Sequence, residues 1–201
     1  TATRTGAAFE RNRGTVPFMA FAVKHGNCCG AAVGDDPHDV IRRLVSGDPE
    51  AISGGFMLCN FEVDAEAATI LRTYLMPPEA KRIMDGIIAP SLTPEAIDDL
   101  ARKNGKCRVF TNPALAGNGL GVKSVSAARK WRPVRGGFLE QDNDAFILTL
   151  PEEWKKELSE EDQDNLMLGW GIGSTSNSNT VILTKDRKLI GPGTGQRSRV
   201  M

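Results

Sequence analysis

Short apolar runs bounded by glycine or proline alternate along this chain with amphipathic segments of ten or more residues. Two of the runs are 16–23 and 56–61, and the segments that follow them keep apolar side chains on one face at helical spacing. Strands that alternate with helices of this length form a sheet with helices packed on both faces. The sequence therefore predicts an α/β protein of three layers, α/β/α. No stretch has the composition of a flexible linker, so we expect a single domain over residues 1–201.

Helix starts and strands can be placed along the chain from capping residues and apolar patterns. Asp36-Pro37, Asp64 and Thr93-Pro94 are typical helix starts, and the helix after Asp64 is expected to bury residues as far as Leu75. A pair of helices is predicted over 152–159 and 160–170. Segment 111–134 has little periodicity and predicts a long irregular loop. Further strands are predicted at 106–110, 137–141, 145–150, 178–185 and 188–191.

Composition and charge exclude several classes of protein. The 25 lysines and arginines balance the 25 aspartates and glutamates, so no general attraction to nucleic acid or to an anionic membrane is expected. The apolar runs are far shorter than the roughly 20 residues that a membrane helix needs. The N-terminal stretch is polar and arginine-bearing and does not read as a secretory signal. We therefore expect no membrane partner and a cytoplasmic location.

The cysteines indicate reduced thiols and no metal site. The four cysteines are Cys28, Cys29, Cys59 and Cys107, and they form no CxxC pair. No second cysteine or histidine pair stands at the spacing of a zinc site, and adjacent cysteines cannot both ligate one ion without bending the backbone. We expect free thiols and no bound metal.

The chain has two histidines, and they stand in different settings. His38 lies in a polar helix start and is expected to be an exposed surface residue. His25 follows a buried strand, has Lys24 beside it, and is followed by a turn of small residues that lets a ligand approach the backbone. Two readings of His25 remain open at this point: a proton-transfer residue, or a histidine satisfied at a strand end. The catalytic reading requires the strand to end at Lys24-His25.

Other polar segments also admit two readings. Residues 191–199 join a glycine-rich backbone to two arginines, which suits either a phosphate site or a solvated hairpin end. The run 174–179 can hydrogen-bond a polar ligand or cap a helix and a turn. Asp85 and Gly54-Gly55 stand at strand boundaries, where taken singly they are more often structural than functional.

Taken together, these segments resemble AICAR transformylase, the formyltransferase part of the bifunctional purine biosynthesis proteins that also carry IMP cyclohydrolase. Residues 24–32, KHGNCCGAA, are similar to the family stretch KHxNPCGxA. Five later segments agree in the same order. They are 49–64 with its GG and NFEVD, 85–90 (DGIIAP), 136–142 (GGFLEQD), 178–186 with its SN and TKD, and 191–199 (GPGTGQRSR).

The resemblance implies a cytidine-deaminase-like mixed sheet that lacks zinc, and a formyl transfer from 10-formyltetrahydrofolate to the 5-amino group of AICAR. By the matching positions, His25 assists deprotonation of the amine and Lys24 stabilises the developing charge. Asn179 holds the carboxamide of AICAR. The remaining matching positions imply ligand contacts: Gly55 and Asp85 line the pocket, and Gln196 and Arg199 approach the nucleotide phosphate.

The resemblance also implies partners and leaves alternatives. Family members form their active sites between the subunits of a dimer, so we expect a homodimer or a partner lobe, with AICAR and reduced folate as ligands. The family's L-R-Y-G-x-N-P-H-Q segment has no counterpart before Lys24, so the match covers the first of two similar lobes. Ser53, which replaces a phenylalanine of the family, favours a non-catalytic nucleotide-binding or regulatory paralogue as the alternative. IMP cyclohydrolase activity is the third and least favoured reading.

Overall fold

The protein is an α/β/α sandwich, and the computed structural model describes residues 1–102 and 105–197. In chain order the helices and strands are α1 (Ala2–Arg13), β1 (Phe18–Lys24), β2 (Asn27–Gly34), α2 (Pro37–Gly47), β3 (Phe56–Cys59), α3 (Ala65–Thr73), β4 (Gly86–Ala89), α4 (Pro94–Leu100), β5 (Arg108–Thr111), β6 (Lys130–Val134), β7 (Gly137–Gln141), α5 (Glu152–Glu157), α6 (Glu160–Gly173), β8 (Val181–Lys185) and β9 (Lys188–Gly193). Three short 3-10 helices lie between β5 and β6, at Pro113–Leu115, Gly117–Leu120 and Val122–Ser124.

Seven strands form one mixed sheet in the order β5-β4-β3-β1-β2-β9-β8. β1 is antiparallel to both β2 and β3, whereas β3, β4 and β5 are parallel to one another. β9 is antiparallel to β2 and to β8. β6 and β7 form a separate two-stranded sheet. The predicted fold class, a three-layer α/β/α arrangement around a mixed sheet of the cytidine-deaminase-like type, is confirmed.

Each face of the large sheet carries its own hydrophobic core. In β1, Ala20 and Ala22 face the core under α2, α3 and α4, while Met19 and Phe21 face the core under α1 and α6. Successive residues of a strand point to opposite faces, so one strand supplies both cores. The first core is the larger and includes Val40, Ile41, Leu44, Val45, Ala67, Ala68 and Leu71, the helix faces predicted from periodicity.

The three predicted helix caps are confirmed by their hydrogen bonds. The Asp36, Asp64 and Thr93 side chains accept hydrogen bonds from the backbone N–H groups of Asp39, Ala67 and Ala96. α3 ends at Thr73, however, and Leu75 lies beyond it with 54% of its surface exposed, so the expected burial of Leu75 is wrong. Leu75 has a positive φ of 57°, which no α-helix continues.

The predicted strand over 145–150 is wrong, because α1 satisfies the backbone of this segment with side chains. Asn12 Nδ2 donates to the carbonyl of Leu148 at 2.9 Å, and Asn12 Oδ1 accepts the N–H of Leu150 at 2.8 Å. Arg4, two helical turns earlier, donates to the carbonyls of Asp144 and Phe146. The apolar side chains Leu148 and Leu150 still join the core under α1 and α6, so the run is buried without being a strand.

Three elements follow no pattern that sequence analysis singled out. One is β6, which lies at the end of segment 111–134, where we predicted an irregular loop. β2 occupies the glycine-rich stretch after His25, where small residues leave no alternation to detect. α1 occupies the polar N-terminal stretch and buries Ala7, Ala8 and Phe9 against α6. Within residues 1–102 and 105–197, none of the helices has the length and apolarity required to cross a membrane.

Asn60 provides a test of how β1 is held at its start. Its Oδ1 accepts the Met19 N–H at 2.7 Å and its Nδ2 donates to the Pro17 carbonyl at 2.8 Å, with 3% of the residue exposed. Asn60→Ala leaves both backbone groups without these partners, and we expect a loss of about 2–4 kcal/mol in the free energy of unfolding. Urea denaturation measures this loss. Asn112→Ala removes one exposed contact to Ala114 and is the matched control, expected to cost under about 1 kcal/mol; equal losses in the two variants would contradict the role of Asn60.

Candidate active site

The polar residues singled out in the sequence gather at one end of the large sheet, which we call the Lys24 edge. It is the end at which β1 finishes at Lys24 and β3 and β4 begin, since Val23 pairs with Phe56 and Phe56 pairs with Gly86. Because β9 is antiparallel to β2, its last residue, Gly193, lies at the same end. β8 begins there too, with Val181 paired to Gly193. All the described site residues predicted from the sequence flank strands at this edge.

Lys24, Gly55 and Asp85 stand next to one another along the Lys24 edge. A Cβ atom on Gly55 would lie 3.1 Å from the Ile52 carbonyl oxygen and 3.2 Å from the Val23 carbonyl oxygen, so the backbone is closely packed here, and the Lys24 side chain lies alongside, with Cγ 3.4 Å from the same point. Asp85 N–H donates to the Gly55 carbonyl at 3.0 Å. The Asp85 carboxylate accepts a hydrogen bond from Arg102 Nη1 at 2.6 Å, with half of the Asp85 side chain exposed. The structure therefore brings three of the predicted residues together.

His25 occupies the tip of the β1–β2 hairpin. Its φ of 51° lies in the left-handed region, and Gly26 after it has a φ of 78°, so two successive residues turn the chain. The residue is exposed, and the Asn27 side chain donates to its backbone carbonyl at 3.4 Å. β1 ends at Lys24, which meets the condition that the catalytic reading of this dipeptide required. The imidazole is consequently not packed in hydrocarbon and is open to a ligand.

Asn179 and Gln196 form a second group at the same edge. Gln196 N–H donates to the Asn179 carbonyl at 3.0 Å, and Asn179 Nδ2 donates to the Gln196 carbonyl at 3.2 Å. Gly195, with a φ of 65°, turns the chain after β9 so that Gln196 returns to the start of β8. The predicted contribution of Arg199 lies outside the described residues.

The two groups are separated along the sheet. β1 and β8 are three strand positions apart, which corresponds to about 14 Å at the usual spacing of hydrogen-bonded strands. A ligand that touched both His25 and Asn179 would have to be elongated and lie across β2 and β9. The arrangement suits a long polar substrate better than a small one.

Burial and nearby cations change the pKa values of the cysteine thiols beside the Lys24 edge. Burial raises the pKa of Cys29, and the nearby Lys24 ammonium opposes the rise. Burial also raises the pKa of Cys107, with Arg102 opposing. Cys28 and Cys59 are deeper, and burial raises the pKa of each to about 12. All four cysteines are free, as predicted, and their thiols are protonated at neutral pH.

The structure gives His38 and the run 174–176 structural roles. His38 is half-buried, not exposed as expected, because its Nε2 lies 2.9 Å from Asp64 Oδ2 and its Nδ1 lies 3.6 Å from Glu66 Oε1. These two contacts join the start of α2 to the start of α3. The hydroxyls of Ser174, Thr175 and Ser176 donate to carbonyls of Gly171 and Ile172, so they close the C-terminal end of α6.

The described residues along the Lys24 edge form no metal-binding cluster. In the described parts of the chain, no three His, Cys, Asp or Glu side chains come together in a way that could hold a metal ion. A polar cavity of about 430 Å³ includes Arg4, Lys130 and Ser174. Of the two predicted catalytic residues, His25 is exposed and Lys24 is partly buried.

The fold defines a three-layer α/β protein with polar residues along one edge of its mixed sheet, and sequence comparison identifies the family. The chain belongs to the family described as the AICARFT/IMPCHase bienzyme, whose profile matches residues 1–201. Membership establishes a place in a family of purine biosynthesis enzymes.

Individual relatives are bacterial. The bifunctional purine biosynthesis protein PurH of Bacillus cereus (strain ATCC 10987 / NRS 248) is 35% identical over 182 residues, which are 89% of this chain and 32% of that protein. The proteins of the same name from Bacillus thuringiensis (strain Al Hakam) and Bacillus cytotoxicus are 35% and 34% identical over the same lengths. The chain thus spans about a third of the length of the curated relatives it matches.

Sequence reasoning missed the residues that surround the predicted ones. Arg102, which pairs with Asp85, and the thiols Cys29 and Cys107 lie at the same edge. Arg102 is 17 positions from Asp85 in sequence, and no motif links the two. Only the parallel arrangement of β4 and β5 makes them neighbours.

Thiol reactivity tests the electrostatic description of this edge. The thiolate is the reactive form, and a thiol with a pKa of about 12 is ionised to only about one part in ten thousand at pH 8. We expect Cys29 and Cys107, which are half-buried, to be alkylated by iodoacetamide before Cys28 and Cys59. Peptide mass spectrometry of the native protein at pH 8 gives the order. Equal rates in urea are the control, and early modification of Cys28 would contradict the burial that we describe.

Proposed function

We propose that this chain carries the chemistry of AICAR formyl transfer, moving a formyl group from 10-formyltetrahydrofolate to the 5-amino group of AICAR. The observation that carries the proposal is the Lys24-His25 pair at the end of β1, with His25 exposed and Lys24 beside Gly55 and Asp85. The pair belongs to a chain of the AICARFT/IMPCHase bienzyme family. Because the chain spans 32% of its relatives, the proposal is for a component of this activity, acting alone or with a further lobe.

The reaction requires a base and a cation at the acceptor amine. The 5-amino group of AICAR is a weak nucleophile because the neighbouring carboxamide withdraws electrons from it. As the amine nitrogen bonds to the formyl carbon, negative charge develops on the formyl oxygen, and the bond from that carbon to N10 of the folate then breaks. The proton lost by the amine is taken up by N10. The products are formylated AICAR and tetrahydrofolate.

His25 and Lys24 suit these two tasks. An imidazole ring nitrogen can accept a proton from a ligand. On the exposed hairpin tip, His25 can reach a ligand laid across the edge, and it assists deprotonation of the amine through the carboxamide. The Lys24 ammonium group lies one residue away and stabilises the oxygen of the intermediate. Lys24 also helps to protonate the leaving folate nitrogen.

The remaining predicted residues bind the nucleotide in this proposal. Asn179 holds the carboxamide, and Gln196 with Arg199 approaches the phosphate. Asp85 and Gly55 line the ligand site beside Lys24. The separation of about 14 Å between β1 and β8 is compatible with a nucleotide that lies across the intervening strands. We expect a homodimer or a partner lobe to complete the open site, and a cytoplasmic location.

Replacing His25 tests the proposal. His25→Ala removes the proton acceptor from an exposed position, so we expect kcat for folate-dependent formylation of AICAR to fall by about 10²–10⁴ with no loss of stability. Absorbance of the tetrahydrofolate product measures the rate. The chain has only one other histidine, and His38→Gln is the matched control, expected to keep its activity provided that thermal unfolding shows it folded. A loss of less than about tenfold in His25→Ala would contradict the catalytic role.

A non-catalytic nucleotide-binding or regulatory role is the second candidate. It is favoured by Ser53, which stands where the family has a phenylalanine, and by the exposed position of His25. Isothermal titration calorimetry separates the two candidates. AICAR binding without turnover, in the presence of 10-formyltetrahydrofolate and at all protein concentrations, would select the binding module. Ring closure to IMP by this chain would instead support the cyclohydrolase reading.

A further inference from the structure

Four basic side chains surround a small cavity beside the start of β4. The cavity has a volume of about 60 Å³, and the basic residues in its wall are Arg72, Lys81, Arg82 and Arg102. The remaining described residues that line it are apolar: Ile83, Met84 and Leu100. We call this cavity the basic pocket. Sites for whole small molecules measure about 300 Å³ or more, so the basic pocket has room for a single polar group of a ligand.

Arg82 places a buried positive charge in the wall of the basic pocket. Only 2% of the residue is exposed. Its guanidinium donates one hydrogen bond each to the carbonyls of Pro49, Leu71 and Tyr74, at 3.2, 2.6 and 3.1 Å. These carbonyls are neutral, and no ion pair joins Arg82 to a carboxylate within residues 1–102 and 105–197. A guanidinium has five N–H groups, so three bonds leave two of them for a further acceptor.

The carboxylates beside the basic pocket neutralise only part of its charge. Asp99 pairs with Arg72, and its Oδ1 lies 3.8 Å from Lys81 Nζ. Asp85 pairs with Arg102 at 2.6 Å. In the described parts of the chain, the four cations of the pocket thus meet two carboxylates, which leaves a formal surplus of two positive charges. An uncompensated charge that is removed from water is costly, and a bound anion offsets that cost.

The basic pocket opens to solvent at Lys81. The Lys81 side chain is 55% exposed, whereas those of Arg72 and Arg102 are 19% and 29% exposed. An anion can therefore enter past a mobile ammonium group and reach guanidinium groups that are mostly shielded from water. Shielding strengthens the attraction, because the local dielectric constant is lower than that of water.

Backbone hydrogen bonds hold the basic pocket next to the Lys24 edge. The Ile83 carbonyl accepts the Gly54 N–H at 2.6 Å, and the Asp85 N–H donates to the Gly55 carbonyl at 3.0 Å. The segment that lines the pocket thus runs beside the glycine pair of this edge. A ligand that lies along the edge can therefore extend one of its groups into the pocket.

The basic pocket is distant from the Asn179–Gln196 group. β4 and β8 are five strand positions apart, which corresponds to about 24 Å at the usual spacing of hydrogen-bonded strands. The nucleotide phosphate that we assign to Gln196 and Arg199 therefore cannot fill the pocket at the same time. The pocket requires a different anionic group.

We propose that the basic pocket binds a carboxylate or phosphate group of a second ligand. Arg82 and Arg102 present planar N–H donors, which suit the paired oxygens of such a group, and Lys81 adds a point charge at the entrance. Two sources have this chemistry: a carboxylate of the reduced folate that we expect as a ligand, and free phosphate. The anion site itself rests on these side chains and not on formyl transfer.

Alkylation of Cys107 measures occupancy of the basic pocket. Burial raises the pKa of this thiol, while Arg102 and Arg72 oppose the rise, so the thiol responds to the charge of the pocket. An anion that neutralises these arginines leaves less thiolate to react with iodoacetamide. We expect inorganic phosphate or glutarate to slow the alkylation by about threefold or more, in a saturable way, relative to sodium chloride of equal ionic strength.

The two anions distinguish the sources. Saturation at a lower concentration of glutarate supports a carboxylate ligand, and saturation at a lower concentration of phosphate supports free phosphate. Either result supports the anion site. Alkylation of Cys107 at the chloride rate in both anions would overturn the proposal. Because the measurement needs no turnover, its outcome is independent of whether this chain transfers a formyl group.

Variants of the basic pocket provide the second measurement. Lys81→Gln removes an exposed charge, and we expect it to raise the anion concentration for half-maximal slowing by about fivefold. Lys156→Gln, at an exposed position of α5, is the matched control and is expected to leave that concentration unchanged. Arg82→Met is expected to abolish the slowing if urea denaturation shows it folded, and Lys81→Gln decides the matter if it does not fold. Slowing that persists in Lys81→Gln and disappears in Lys24→Gln would place the anion at Lys24 and overturn the proposal.

Discussion

The central constraint on this fold is that one strand supplies two cores. β1 alternates Ala20 and Ala22 toward one face with Met19 and Phe21 toward the other, and it pairs with β2 on one side and β3 on the other. Its backbone is therefore fixed by hydrogen bonds along both edges and by packing on both faces. The strand fixes the backbone position of Lys24-His25, because Lys24 is its last paired residue and His25 begins the turn. A strongly held strand thus positions a partly buried lysine and an exposed histidine.

Family membership and geometry contribute different parts of the functional argument. The family places the chain among purine biosynthesis enzymes, whereas the sheet topology explains why distant residues meet. Antiparallel β1 ends where β3 and β4 begin, and antiparallel β9 ends where β8 begins. Polar residues at strand boundaries, unremarkable singly in the sequence, therefore fall along one edge.

The sequence predicted those elements that its own local chemistry specifies. α2, α3 and α4 were found because an oxygen-bearing cap precedes an apolar stripe, and those caps are present. β2 was missed because Gly30, Ala31 and Ala32 carry too little side chain to show a period. Segment 145–150 was misassigned because Asn12 and Arg4, more than 130 residues away, satisfy its backbone. The position of Lys24 and His25 was predictable from the end of an apolar run, but the Asp85–Arg102 pair depends on strand order. Long-range partners of this kind leave no local signal.

The two cores share strands but no side chains, and this has an evolutionary consequence. Among the residues that the structure describes, no side chain belongs to both sets, so a substitution under α2, α3 and α4 changes no side chain of the core beneath α1 and α6. A substitution in one helical layer affects the other layer through the sheet backbone that they share. Replacing a core side chain by one of similar volume moves that backbone little. The layers are therefore free to diverge at separate rates, and a lineage that reshaped one helical layer for a new assembly would keep the ancestral edge intact.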